Sequence, residues 1–201
     1  MLPTNLGIAA AALALSFAAC APATAVRAPT SIAPAPATPP TTSKACASPE
    51  HRQLDFWIGD WDVTIRARAS LDSEAWAEAR GENHIASILS GCVIEETFRA
   101  EGPQTPWAGR SVSQRVASDG KWHQTWVDDQ GSYMTFVGEK VGAEMVLTGV
   151  PRPMPDGVTQ QMRMVFFEIS QSRLKWRWEG TRDGGHTWVT AMTIDYVRRL
   201  P

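Results

Sequence analysis

From Gly59 onward the chain alternates apolar and polar residues with a period of two. Trp61, Val63 and Ile65 interleave with Asp62, Thr64 and Arg66, which predicts a strand with one buried face. Comparable runs recur at roughly 75–88, 92–100, 109–117, 121–128, 132–138, 143–149, 160–169, 172–179 and 187–198. Turn-forming pairs separate many of them: Asp119-Gly120, Gln130-Gly131, Val141-Gly142, Asp156-Gly157 and Asp183-Gly184-Gly185. Ahead of the strands, Ser48-Pro49-Glu50 has the features of a helix start, and Leu54, Trp57 and Ile58 share one helical face before Gly59. The prediction is an all-β fold: an antiparallel up-and-down β-barrel of about ten strands with a short N-terminal helix. Closure is expected because an open sheet of that size would leave two edges unpaired.

The same alternation assigns faces. Trp122, Gln124 and Trp126 share one side of their strand, opposite His123, Thr125 and Val127. Leu174, Trp176 and Trp178 lie opposite Lys175 and Arg177, and Met162, Met164 and Phe166 form another apolar row. The Trp rows are assigned to the interior because the charges occupy the other faces.

Composition divides the chain. Residues 1–45 carry two charges, Arg27 and Lys44, and seven of the fourteen Pro, but none of the nine Trp. Residues 6–19 form an apolar run of 14, below the length of about 20 that a bilayer span needs. That run matches the core of a secretory signal, although the preceding MLPTN has no Lys or Arg. Two processing sites compete: a lipobox-like Phe17-Ala18-Ala19-Cys20, with lipidation of Cys20, and cleavage after Ala25 in Ala23-Thr24-Ala25. The expected organisation is a signal peptide at 1–20, a Pro/Ala/Thr-rich tether at 21–45 and the barrel at 46–201. The tether composition cannot bury a core.

With Cys20 assigned to export, Cys46 and Cys92 remain. In an oxidising compartment two such thiols tend to pair, so a Cys46–Cys92 disulfide is expected, two buried free thiols being the alternative. Without Arg27 and Lys44 the domain has 17 basic and 21 acidic residues, a balance of −4. No basic stripe marks a nucleic-acid surface.

The motifs resemble a known family. Pro49-Glu50-His51-Arg52-Gln53-Leu54-Asp55-Phe56-Trp57-Ile58-Gly59-Asp60-Trp61-Asp62-Val63 is similar to the opening of the DUF1579 family of bacterial proteins of unknown function. Gly91-Cys92-Val93-Ile94-Glu95-Glu96 and Trp122-His123-Gln124-Thr125-Trp126-Val127-Asp128 resemble its next two motifs, and Arg182-Asp183-Gly184-Gly185-His186-Thr187-Trp188 its late hairpin. The resemblance implies a lipocalin-like (calycin) barrel closed at one end by a helix, with Trp61 packed across the floor. It implies no activity.

Catalytic signatures are missing: no G-x-S-x-G, P-loop, C-x-x-C or H-E-x-x-H is present. The four His show no metal-ligand spacing, and Glu95 and Glu96, adjacent on a strand, point to opposite faces. A haem-binding, nitrobindin-like barrel would carry an axial His in a late strand. Here 187–198 has none, and only His186 stands at its edge. The leading expectation is therefore an exported barrel without catalytic activity, metal or other cofactor. It would bind a small hydrophobic or aromatic ligand through Trp122, Gln124, Trp126, Trp176 and Trp178, and meet the membrane only through an N-terminal lipid. The alternative is a packed structural or interaction module of the bacterial envelope. The two differ in whether the Trp rows fill the interior or line a pocket.

Overall fold

The computed structural model describes residues 46–101 and 106–200. The processing sites and the tether of residues 1–45 lie outside the described residues. Eleven strands follow in chain order: β1 (Gly59–Ala67), β2 (Ala77–Ile88), β3 (Val93–Glu101), β4 (Trp107–Arg115), β5 (Trp122–Asp128), β6 (Tyr133–Val141), β7 (Glu144–Gly149), β8 (Arg152–Pro153), β9 (Thr159–Phe167), β10 (Arg173–Thr181) and β11 (Val189–Arg198). Neighbours pair antiparallel in the order β10-β11-β1-β2-β3-β4-β5-β6-β7-β9, and β9 pairs back onto β10. Ten strands thus close a barrel, while the two-residue β8 pairs only with the start of β9. Among the described residues no helix is long and apolar enough to cross a membrane.

The expected N-terminal helix is two 3-10 turns, Pro49–Arg52 and Asp55–Trp57. Ser48 does not cap the first through its side chain. Its hydroxyl instead lies 2.9 Å from His51 Nδ1. A 3-10 turn repeats every three residues, so Leu54 and Trp57 eclipse each other. Both are buried, whereas Ile58, the third member of the helical face, is half-exposed. The turns plug one end of the barrel.

Gly59 then starts β1 with φ +133°, and the space a Cβ would occupy there is filled by the Arg198 guanidinium. Arg198 donates to the Ile58 and Phe56 carbonyls, so the end of the last strand clamps the plug to the first.

Above the plug, Trp61, Val63 and Ile65 point inward from β1, and Ile194 and Tyr196 from β11, in the register Val63↔Tyr196 and Ile65↔Ile194. Trp61, with no exposed surface, donates from Nε1 to the Trp57 carbonyl at 2.8 Å. It meets Tyr196 edge-on at 5.8 Å and lies 4.0 Å beneath the Arg198 guanidinium. Trp61 thus packs directly on the plug. The Cys46–Cys92 disulfide is present, joining the residues before the plug to the start of β3 with a Cα–Cα distance of 5.1 Å. The late hairpin motif is structural: Asp183 accepts from Thr181 and Thr187, and Trp188 lies 4.0 Å beneath Arg163.

Candidate ligand cavity

The barrel is not filled. Between the plug and the opposite, open end lies a cavity of about 260 Å³. Its sides are aromatic. Trp107 on β4 and Trp126 on β5 stand 5.7 Å apart, each in edge contact with Phe98 on β3. Trp176 and Trp178 on β10 are stacked at 5.9 Å with 7° between their planes, and Phe136 meets Trp178 edge-on at 5.4 Å. Counting round the ring, β4 and β10 are five strands apart, half of the ten-strand circuit. Two Trp pairs therefore face each other across the void. Met134, Met164 and Met192 fill the gaps between them with flexible thioether chains. One close approach makes room for this wall: a Cβ on Gly109 would overlap the Trp126 indole, so β4 passes directly behind that ring.

A polar diagonal crosses the wall from β2 to β5. Glu96 is buried and accepts from Asn83 Nδ2 at 2.7 Å and from Ser111 Oγ at 2.6 Å. Asn83 Nδ2 also donates to the Tyr196 hydroxyl at 3.2 Å. Gln124 donates from Nε2 to Ser113 Oγ at 3.0 Å and to Ser111 Oγ at 3.3 Å. Glu96, Gln124 and Tyr196 line the cavity.

Among the described residues two buried groups beside this network lack a well-aligned hydrogen bond: Trp57 Nε1, which makes only a loose contact with the Tyr196 hydroxyl, and Asn83 Oδ1. A buried polar atom left so costs about 1–3 kcal/mol. At the open end Asp128 also lines the cavity. Burial would raise its carboxyl, but hydrogen bonds from Trp126 and Ser132 outweigh that and hold it at about 2.

Burial has the opposite outcome at Glu96. It pushes the carboxyl up from 4.5 to about 7, against the pull of the Ser111 and Asn83 hydrogen bonds. Burial, then the neighbouring Glu96 charge, drive the Tyr196 hydroxyl far upward, so it stays protonated.

The Glu96 shift has a consequence for stability. Below about pH 4.5 this carboxyl is protonated in both folded and unfolded chains and adds no pH dependence. Between about 4.5 and 7 the unfolded chain releases a proton that the folded barrel keeps, so stability falls as pH rises and levels off above 7. The spread corresponds to about 3 kcal/mol. Relative to wild type, Glu96→Gln should therefore gain about that much in urea denaturation between pH 5 and pH 8. A difference independent of pH would refute the assignment.

Four of the five aromatic and amide residues expected at a pocket meet around this void: Gln124, Trp126, Trp176 and Trp178. Trp122 does not line it. It lies on the plug side of β5, buried, with Nε1 donating to Gln53 Oε1 at 3.2 Å. It points inward, as the alternation on β5 requires, but its height along the barrel depends on the plug. Glu95 and Glu96 diverge as adjacent strand residues must: Glu95 faces outward near Arg110, Glu96 inward. Tyr196, Asn83 and Trp107 are not singled out by the sequence. For Glu96 the signal is the alternation that turns one of the adjacent Glu95 and Glu96 inward. For Trp107, at a strand start beside residues with no clear alternation, there was none.

His51, His84, His123 and His186 all lie away from the cavity. His84 and His123 form outer-surface pairs with Asp60 at 2.6 Å and Asp119 at 2.7 Å, and His186 is exposed in the β10–β11 turn. Among the described residues no group of three His, Cys, Asp or Glu is placed to hold a metal ion.

Comparison with known proteins agrees with this architecture. The family described as "Protein of unknown function (DUF1579)" matches residues 47–198. The fold resembles that of Rv2717c from M. tuberculosis, with a TM-score of 0.56, 13% identity, and coverage of 76% of this chain and 99% of that one. It also resembles the S-type phycobiliprotein lyase CPES from Guillardia theta, with a TM-score of 0.50, 9% identity, and coverage of 74% and 91%. At these identities the likeness is one of fold. No curated protein sequence matches the chain.

Proposed function

Since the chain belongs to the DUF1579 family, whose description assigns no function, we propose a role read from its cavity. The protein is an exported, non-catalytic barrel that binds a small planar aromatic or conjugated ligand. The observation that carries this reading is the pair of Trp walls, Trp107 and Trp126 on one side and Trp176 and Trp178 on the other, facing each other across an open volume of about 260 Å³. Flat ring systems offer both faces to such walls, and aromatic pairs contribute about 0.5–1.5 kcal/mol each beyond area burial. An aliphatic chain gains only the burial.

Gln124, Trp126, Trp176 and Trp178 are the contact residues, and Trp122 supports them from the plug side. The disulfide supports export, because such bonds persist in oxidising compartments. A bacterial envelope location, with anchoring through a lipid on Cys20, completes the reading. The reading as a packed envelope module calls for an interior without a void, which a cavity of this volume does not offer.

The experiment is a ligand titration followed by Trp fluorescence and thermal unfolding. Fused-ring aromatics are expected to quench the emission and to stabilise the barrel by about 2.7 kcal/mol at a hundredfold excess over Kd. Met134→Trp, which places an indole at the open end of the cavity, should abolish both effects. Equal responses to fused-ring aromatics and to straight-chain lipids, or no response to either, would defeat the proposal.

A further inference from the structure

The polar end of the cavity restricts the ligand further. The charged residues lining it, Glu96 and Asp128, are both acidic, and no Lys, Arg or His lines it among the described residues. An anionic ligand would bury a second negative charge without a counter-ion, which is strongly unfavourable. The unmet valences select between the remaining classes. Trp57 lines the cavity, and among the described residues its Nε1–H has no well-aligned acceptor, only a loose contact with the Tyr196 hydroxyl. The Tyr196 hydroxyl accepts from Asn83 and, among the described residues, its own proton has no acceptor. Glu96, held between Asn83 and Ser111, has further lone pairs for a donor. This end therefore presents donors and an acceptor together. An ammonium would satisfy Glu96 but offer nothing to Trp57 or Tyr196.

We propose that the ligand is an uncharged aromatic molecule whose inner edge both donates and accepts, a phenolic hydroxyl or a lactam, giving its proton to Glu96 and taking a hydrogen bond from Trp57 Nε1 or the Tyr196 hydroxyl. This inference rests on the reading of the cavity as a ligand site. The groups facing Glu96 from the neighbouring strands are Asn83 on β2, Ser111 on β4, Gln124 on β5 and Tyr196 on β11. Of these only Tyr196 titrates, and it stays protonated. Ionisation of Glu96 near neutral pH makes it a stronger acceptor, so binding of a hydroxyl donor should tighten as pH rises through that range.

The test compares naphthalene, 2-methoxynaphthalene, 2-naphthol and 2-naphthoate on the whole protein by fluorescence titration at pH 6 and pH 8, where the naphthol hydroxyl remains protonated. We expect 2-naphthol to bind about tenfold more tightly than its methyl ether, as one hydrogen bond to a charged group warrants. The preference should be larger at pH 8 than at pH 6, and 2-naphthoate should bind more weakly than all three neutral compounds. Glu96→Gln should remove the pH dependence and most of the preference. Equal affinity of naphthalene, the ether and 2-naphthol would overturn the donor–acceptor edge while leaving an aromatic cavity intact. So would a preference unaffected by Glu96→Gln. Binding by none of the four would remove the ligand reading itself, and this inference with it.

Discussion

Replacing Trp61 with alanine should cost the barrel about 3–5 kcal/mol, the range for truncating a fully buried Trp. Three interactions end together. The indole has no exposed surface, its Nε1 donates to the Trp57 carbonyl at 2.8 Å, and its ring lies 4.0 Å from the Arg198 guanidinium. Its loss leaves a void on the floor, a buried carbonyl without its donor, and an Arg that still holds the Phe56 and Ile58 carbonyls but no longer stacks on a ring. Trp61→Phe keeps a ring under Arg198 and loses the hydrogen bond, so an intermediate loss is expected.

Trp76 is the internal control. It is 37% exposed and touches Arg66 and Arg68 only through cation–π stacking, so Trp76→Ala should cost about 1 kcal/mol or less. Urea midpoints at unchanged slope give the comparison. Similar losses for Trp61→Ala and Trp76→Ala would show that the floor carries no special share of the stability.

Removing the Cys46–Cys92 disulfide should come next in size. The bond closes a loop with a sequence separation of 46, for which the chain-entropy relation gives about 4 kcal/mol. The loop contains the plug, β1 and β2, so the cross-link restricts the unfolded chain where the folded one needs the plug beside β3. It also adjoins a strained turn: Leu89 and Ser90 hold φ values of 48° and 59°, a left-handed conformation costing about 1–2 kcal/mol per residue outside glycine. Paired Cys46→Ser and Cys92→Ser, or reduction before denaturation, should shift the unfolding midpoint by the corresponding amount. A loss under about 1 kcal/mol would mean that the reduced unfolded chain already keeps these segments together, against the chain-entropy account.

Much of the barrel is legible residue by residue. Period-two alternation places Trp61, Val63 and Ile65 inside on β1, and Leu174, Trp176 and Trp178 on one face of β10, because each side chain's direction is tied to its neighbour's. Gly120, Gly131, Gly142, Gly157, Gly184 and Gly185 adopt positive φ at the expected turns, since that conformation is a local property of the residue. The Cys46–Cys92 disulfide is the pairing that counting predicts once Cys20 is assigned to an export signal. The N-terminal segment is a short helix as its signals indicate, but its type is decided elsewhere. Its signals suit an α-helix, but the plug needs Leu54 and Trp57 one above the other, and packing selects a tighter turn.

Which strands form, which way their side chains face and which two cysteines pair are all encoded over short stretches or by simple counting. How high each inward residue sits in the barrel is not. Trp122 and Trp126 have the same alternation on β5, yet one packs on the plug and the other lines the void, because height depends on strand tilt and on what closes the end. The opposition of β4 to β10 likewise exists only once the ring is closed. The same holds for the state of Glu96. Its pairing with Ser111 across β3 and β4, with Asn83 from β2 and Tyr196 from β11 beside it, removes water from a carboxyl that nothing in its own segment marks as unusual. Burial is a property of the assembled barrel, and so, with it, is the chemistry of the cavity.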